Sequence, residues 1–133
     1  MPDVIALSLI ADLGFSVRIE DAANRLGFRV ATVSTPEKAI GTLKQGRASL
    51  FIMDLTAAGA RAAEIVTAAR NAPYPVAVLV FGPGTDLQAQ QVAQETGADL
   101  VVDTSEFSSE ISRWLIACLD RHRETRTPER GIE

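Results

Sequence analysis

A chain of 133 residues with 47% apolar and 23% charged residues has the balance of a single folded domain, long enough to bury a core without covalent staples. Its one cysteine excludes an internal disulfide and a cysteine-based metal cluster. A formal net charge of -4 offers no basic field to a nucleic-acid backbone, no apolar run reaches membrane-spanning length, and the start carries no secretory signal. The expectation is a cytoplasmic domain with neither nucleic acid nor membrane as partner.

In chain order, short apolar runs alternate with amphipathic stretches. Residues 4–9 form the first run, followed by Phe15, Ile19, Ala22, Ala23 and Leu26 at helical spacing and Gly27 as a stop. Residues 29–33 form the second. Ser34-x-x-Glu37 then reads as a capping box around Pro36, and the helix runs to about Lys44. The third run, residues 50–53, ends in Asp54. A loop over residues 55–59 leads into an alanine-rich helix over residues 60–70. The fourth run, residues 76–81, is broken by Gly82-Pro83-Gly84, and Thr85-x-x-Gln88 opens a helix that stops near Gly97. Residues 100–102 are the fifth run. The last helix carries Ile111, Trp114, Leu115, Cys118 and Leu119 on one face.

Five βα units follow from this reading. Strands that are apolar throughout are buried on both faces, and right-handed crossovers place helices over both. The predicted fold is α/β and flavodoxin-like: a three-layer sandwich around a five-stranded parallel sheet of order 2-1-3-4-5, with five helices. The domain is assigned to residues 1–120. Residues 121–133, with four arginines and three glutamates, read as a helix end and a disordered charged tail.

Open α/β sheets bind ligands at the carboxyl ends of their strands. The residues there are Ile10, Ala11 and Asp12, then Ser34, Asp54, residues 80–85, and Asp103, Thr104 and Ser105. Asp54 is the sharpest: a carboxylate ending an apolar run has left the core for the crevice, where it could accept a phosphoryl group, hold a metal or cap a turn. Asp12, Asp54 and Asp103 could converge there as a three-carboxylate divalent-metal site. Each also sits where an N-cap is expected, Asp103 with Glu106 in the capping-box position.

At this point the order of elements and the string Asp54-Leu55-Thr56-Ala57-Ala58-Gly59 resemble the response-regulator receiver domain, over roughly residues 3–120. Pro75-Val76 and Gly97-Ala98-Asp99 are similar to receiver patterns too. The resemblance implies a phosphorylation site on Asp54. It also implies an Mg²⁺-holding acid pair after strand one, a hydroxyl ending strand four and a lysine ending strand five. Laid over this chain, those positions fall on Ile10 and Ala11, on Val80, and on Thr104 beside Asp103, with Ser105 and Ala58 where prolines belong. A phosphoryl group brings about two negative charges. Its transfer needs a divalent cation and a fixed positive charge. Ile10 and Ala11 offer no oxygen ligand for Mg²⁺, Val80 cannot hydrogen-bond a phosphoryl oxygen, and Asp103 opposes further negative charge. The chain therefore resembles the degenerate, pseudo-receiver branch, to which the stretch from Asp12 to Ile19 is also similar.

The expected function is that of a non-enzymatic signalling domain of a two-component type. It acts through protein–protein contact and independently of phosphorylation, alone or as a fragment of a longer regulator. It is taken to need no cofactor. Two alternatives stand beside it. One is a working Mg²⁺-dependent phosphoacceptor using Asp54 and Asp12. The other is a small-ligand binder in the crevice. The resemblance implies a docking or dimer face built from the fourth helix, the fifth strand and the fifth helix, with Gln88, Gln91, Gln94 and Arg113 as its candidates. Gly82-Pro83-Gly84 is too short to cradle a phosphate. Asp54-x-Thr56-x-x-Gly59 is similar to a cobalamin-binding pattern, but with threonine in place of the ligating histidine. His122 reads as a cation near a helix end, Cys118 as a core residue, and Trp114 as packing that needs a partner for its indole N–H.

Overall fold

The computed structural model describes residues 5–126; of the helix end and charged tail expected over residues 121–133, residues 127–133 lie outside them. Five strands, β1 (Ile5–Leu9), β2 (Arg29–Val33), β3 (Ala48–Asp54), β4 (Ala77–Gly82) and β5 (Leu100–Asp103), pair in parallel in the order 2-1-3-4-5. The helices are α1 (Leu13–Arg25), α2 (Pro36–Lys44), α3 (Leu55–Ala58), α4 (Ala62–Arg70), α5 (Leu87–Thr96), α6 (Thr104–Ser109) and α7 (Ile111–Arg126). This is the flavodoxin-like sandwich that the apolar strands predict.

Alternation along the strands divides the interior into two cores. Leu7, Leu9, Phe51, Met53, Val78 and Val80 pack under α2, α3, α4 and α5. Ala6, Ile10, Leu50, Ile52, Leu79 and Phe81 pack under α1, α6 and α7. The central strands β3 and β4 are buried almost end to end, whereas edge strand β2 is half to fully exposed.

Local chemistry departs from the sequence reading in four places. Thr35 rather than Ser34 caps α2, its hydroxyl accepting from Lys38 N at 3.3 Å, because Pro36 takes the first helical position. Asp86 rather than Thr85 caps α5 by accepting from Ala89 N at 3.2 Å. The expected loop after Asp54 is helical: α3, then a 3-10 turn over Gly59–Arg61, with Asp54 as the cap. The last helix is split at Glu110, whose non-helical backbone (φ -146°, ψ 64°) separates α6 from α7. Among the described residues the five expected helical regions thus appear with two short additions, α3 of 4 residues and α6 of 6. Helix α7 also continues past residue 120, where the composition changes, to Arg126.

At the opposite end of the sheet from the crevice, Gly97 turns α5 into β5 with φ +123°, a conformation that side chains resist. Arg70 packs within 3.0 Å of where its Cβ would be.

Candidate functional site

The crevice begins where β1, β3, β4 and β5 end. Ile10 is 4% exposed and belongs to the α1-side core, while Ala11 and Asp12 are exposed. Asp12 accepts from Phe15 N at 3.0 Å and so caps α1. Asp54 is 8% exposed, and its Oδ1 accepts from Thr56 N at 2.9 Å. Asp103 caps α6: its Oδ2 accepts from Ser105 N at 3.1 Å and from the Ser105 hydroxyl, and Thr104 is the first helical residue. The three acids thus face the amides of their own helices, and no group of three His, Cys, Asp or Glu that could hold a metal exists among the described residues.

Strand register decides what lies beside Asp54. Its partner on β4 is Phe81, and Met53 pairs with Val80. Paired residues share a face, so Phe81 accompanies Asp54 while Val80 points into the other core and is fully buried. Phe81 stacks on Phe107 of α6 at 4.7 Å between ring centroids, and Phe15 of α1 lies 5.1 Å and 5.9 Å from the two. Phe81 and Phe107 are at most 1% exposed. The guanidinium of Arg18 lies 5.7 Å from the centroid of the Phe15 ring and donates to Ser108 O, pinning α1 against α6. The α1 side of the crevice floor is therefore hydrocarbon. Ile10, Phe81 and Phe107 offer no side-chain oxygen to a divalent cation beside Asp54, so these neighbours do not fit Mg²⁺.

The aromatic trio was missed in the sequence because each phenylalanine reads as core on its own helix or strand. The available signal was Phe81 as the last bulky residue of a run opposite Asp54.

A second constellation lies at the amino ends of β4 and β5. Asp99, whose side chain is 1% exposed, accepts from Val78 N at 2.8 Å, and its own amide donates to Val78 O at 2.9 Å. Arg70 Nη2 lies 3.5 Å from the same carboxylate oxygen and also donates to Val76 O. His122 Nδ1 lies 3.2 Å from it. His122 is thus not a free helix-end cation but a half-buried member of a network around the buried Asp99 carboxylate. Its spacing after Ile111, Leu115 and Cys118 puts it on the inward stripe of α7, and that spacing was the readable signal. Arg70 and His122 border an open groove of about 610 Å³ with Pro73, Tyr74 and Pro75. Cys118 is buried nearby, and burial pushes its thiol pKa far up, with Asp99 adding to the rise. Trp114 Nε1 donates to Glu106 O at 3.0 Å, the partner its indole requires.

Edge strand β5 is flanked by α5 on one side of the sheet and α7 on the other. Gln88, Gln91 and Gln94 are exposed on α5 together with Leu87 and Val92, and Gln91 donates to Glu95 at 3.0 Å. A groove of about 450 Å³ runs along the strand, bordered by Gln94, Leu100, Val101 and Arg121. Arg113 is exposed and ion-paired with Glu110 at 3.3 Å; Arg121, not singled out in the sequence, is the α7 arginine at the groove.

No helix among the described residues is long and apolar enough to cross a membrane. No protein-family model matches the sequence, and neither does any curated protein. Solved structures do match. The signal receiver domain of a putative LuxO repressor protein from Vibrio parahaemolyticus superposes with a TM-score of 0.75 at 12% identity, covering 98% of this chain and all of its own. An orphan response regulator of H. pylori gives 0.73 at 18% identity, over 90% of this chain and 97% of that one. The receiver domain of the putative response regulator NarL from Mycobacterium tuberculosis gives 0.72 at 17%, over 90% and 98%. At these identities the likeness is one of fold: the chain has the fold of response-regulator receiver domains.

Proposed function

We propose that the chain is a receiver-type regulatory module of the pseudo-receiver branch, working in the cytoplasm by protein–protein contact and without a phosphorylation cycle. One observation carries this reading: the β4 residue in register with Asp54 is Phe81, locked in a ring stack with Phe107, and buried Ile10 directly follows β1. Phosphoryl transfer gains its rate from charges placed around the acceptor, and here apolar carbon takes their place. Asp54 serves as the cap of α3.

The contact surface in this reading is the α5–β5–α7 edge, with Gln88, Gln91, Gln94 and Arg113 recognising a protein partner or a second copy. Uncharged amides beside Leu87 and Val92 suit an interface that buries apolar area under a polar rim. The chain needs no cofactor and turns over no substrate in this role, and its acidic charge disfavours nucleic acid.

The test is an amide NMR titration with Mg²⁺ and then a beryllofluoride phosphoryl mimic, on wild type and Asp54→Ala. Flat spectra up to millimolar ligand support the module. Shifts centred on Asp54 and spreading to Val80 and Thr104, absent in the variant, overturn it in favour of a working phosphoacceptor.

A further inference from the structure

Helix α5 is the longer helix with the slightest grip on the core. It buries Ala93 alone, where α1 and α4 each bury four residues. Its position therefore rests on what holds the connection from β4. That connection is bonded at its helical end: Asp86 N donates to Pro83 O at 3.0 Å, and Gln90 Nε2 donates to the same oxygen at 2.8 Å. At its strand end it meets Asp103. Gly82 and Asp103 are register partners on β4 and β5, so Gly84 rises directly beside the Asp103 side chain. The approach is so close that a Cβ on Gly84 would overlap Asp103 Oδ1. The Ser105 N–H donates to the other oxygen of this carboxylate, Oδ2, at 3.1 Å, and the nearby Glu106 and Gly84 amides help hold the carboxyl below its usual range.

We propose that Asp103 is a built-in latch: its carboxylate ties the β4–α5 connection, through Gly84, to the turn that opens α6, and so fixes α5 and its glutamine face without any added anion. One oxygen, Oδ2, serves Ser105 and caps α6; the other, Oδ1, faces Gly84. A carboxylate whose only task was the cap would need the first contact and not the second. The latch is a property of this chain's own loops and stands apart from what docks on α5.

Two substitutions separate latch from cap. Asp103→Asn retains an acceptor for the Ser105 amide, since asparagine is a good N-cap, but cannot offer oxygen to both sides at once. Gly84→Ala leaves Asp103 intact and displaces the connection from it; the backbone there is not in the left-handed region, so alanine is allowed. Amide hydrogen exchange by NMR reads both variants residue by residue. Exchange at Asp86, Ala89 and Gln90 at least tenfold faster in both, with Phe107 and Ser108 of α6 within twofold of wild type, is the expected result. Unchanged exchange in the connection of Gly84→Ala, or faster exchange confined to α6 in Asp103→Asn, overturns the latch and leaves a simple cap. Gly84→Ala touches no core residue, so it stays informative even if Asp103→Asn lowers global stability.

Discussion

Asp99 and Val78 hold each other twice, Val78 N donating to the Asp99 carboxylate at 2.8 Å and Asp99 N donating to Val78 O at 2.9 Å. The pair joins the start of β4 to the turn before β5 and draws Arg70 and His122 onto the same oxygen. Asp99→Ala strands the buried Val78 amide and removes the anion between two basic side chains. It is expected to cost about 3 kcal/mol. Asp99→Asn can still accept from Val78 and should cost roughly half as much. Urea unfolding monitored by Trp114 fluorescence checks both, with midpoints falling and the slope unchanged.

Phe107 closes the crevice floor against Phe81 and Phe15. Phe107→Ala empties a fully buried site ringed by aromatics and should destabilise the fold by about 3–5 kcal/mol. Phe107→Leu, closer in volume, should cost roughly 1–1.5 kcal/mol. Equal losses for the two would mean the ring stack, rather than filled volume, dominates.

The Asp103 carboxyl is held below the usual carboxylate range, first by the Ser105 hydroxyl and then by the backbone amides of Ser105, Glu106 and Gly84. A lowered folded-state pKa means the contribution is complete above the ordinary value of about 3.9 and is lost as pH falls through the lower, folded value. A carbon NMR titration of Asp103 should therefore give a midpoint below its ordinary value. Gly84→Ala should move that midpoint upward, since the added Cβ would push the Gly84 backbone away from the carboxylate.

Cys118 should be inert to a thiol reagent at pH 8, because burial first and Asp99 second raise its pKa. Labelling should follow opening of α7. Asp99→Ala, which weakens the hold on His122, should speed it at least tenfold; an unchanged rate would show that α7 opens independently of that network.

Gln91→Arg and Gln94→Arg alter exposed positions on α5 and should shift stability by less than about 0.5 kcal/mol. If the α5–β5–α7 edge docks a partner or a second copy, the pair of changes should weaken that association at least tenfold. Pull-down from cells followed by calorimetry on the recovered partner, and sedimentation for self-association, measure this. An undiminished affinity would move the contact elsewhere.

How much of this was legible follows physical lines. The apolar strands and their glycine punctuation predicted sheet order and layers, because burial on both faces leaves few ways to connect five βα units. Helix starts at Ser34 and Thr85 slipped by one residue, since adjacent groups compete for one cap and only the chain path decides. Asp12, Asp54 and Asp103 were readable as strand-end acids, and each does cap the following helix. What surrounds Asp54 was not readable. Whether Val80 or Phe81 stands beside it depends on register, and a one-residue slip exchanges the faces of the sheet. The Asp99 network escaped for a similar reason: Arg70, Asp99 and His122 lie on three elements, and only tertiary contact joins them.

Helix α7 runs unbroken across the change in composition at residue 121, as far as Arg126. His122 stands two residues beyond the change in composition, yet it reaches back to the sheet at Asp99. A polypeptide shortened to end at Asp120 would keep every strand and lose the imidazole that fastens the final helix to the base of β4 and β5. The first turn beyond residue 120 thus carries a tie from the last helix to the sheet.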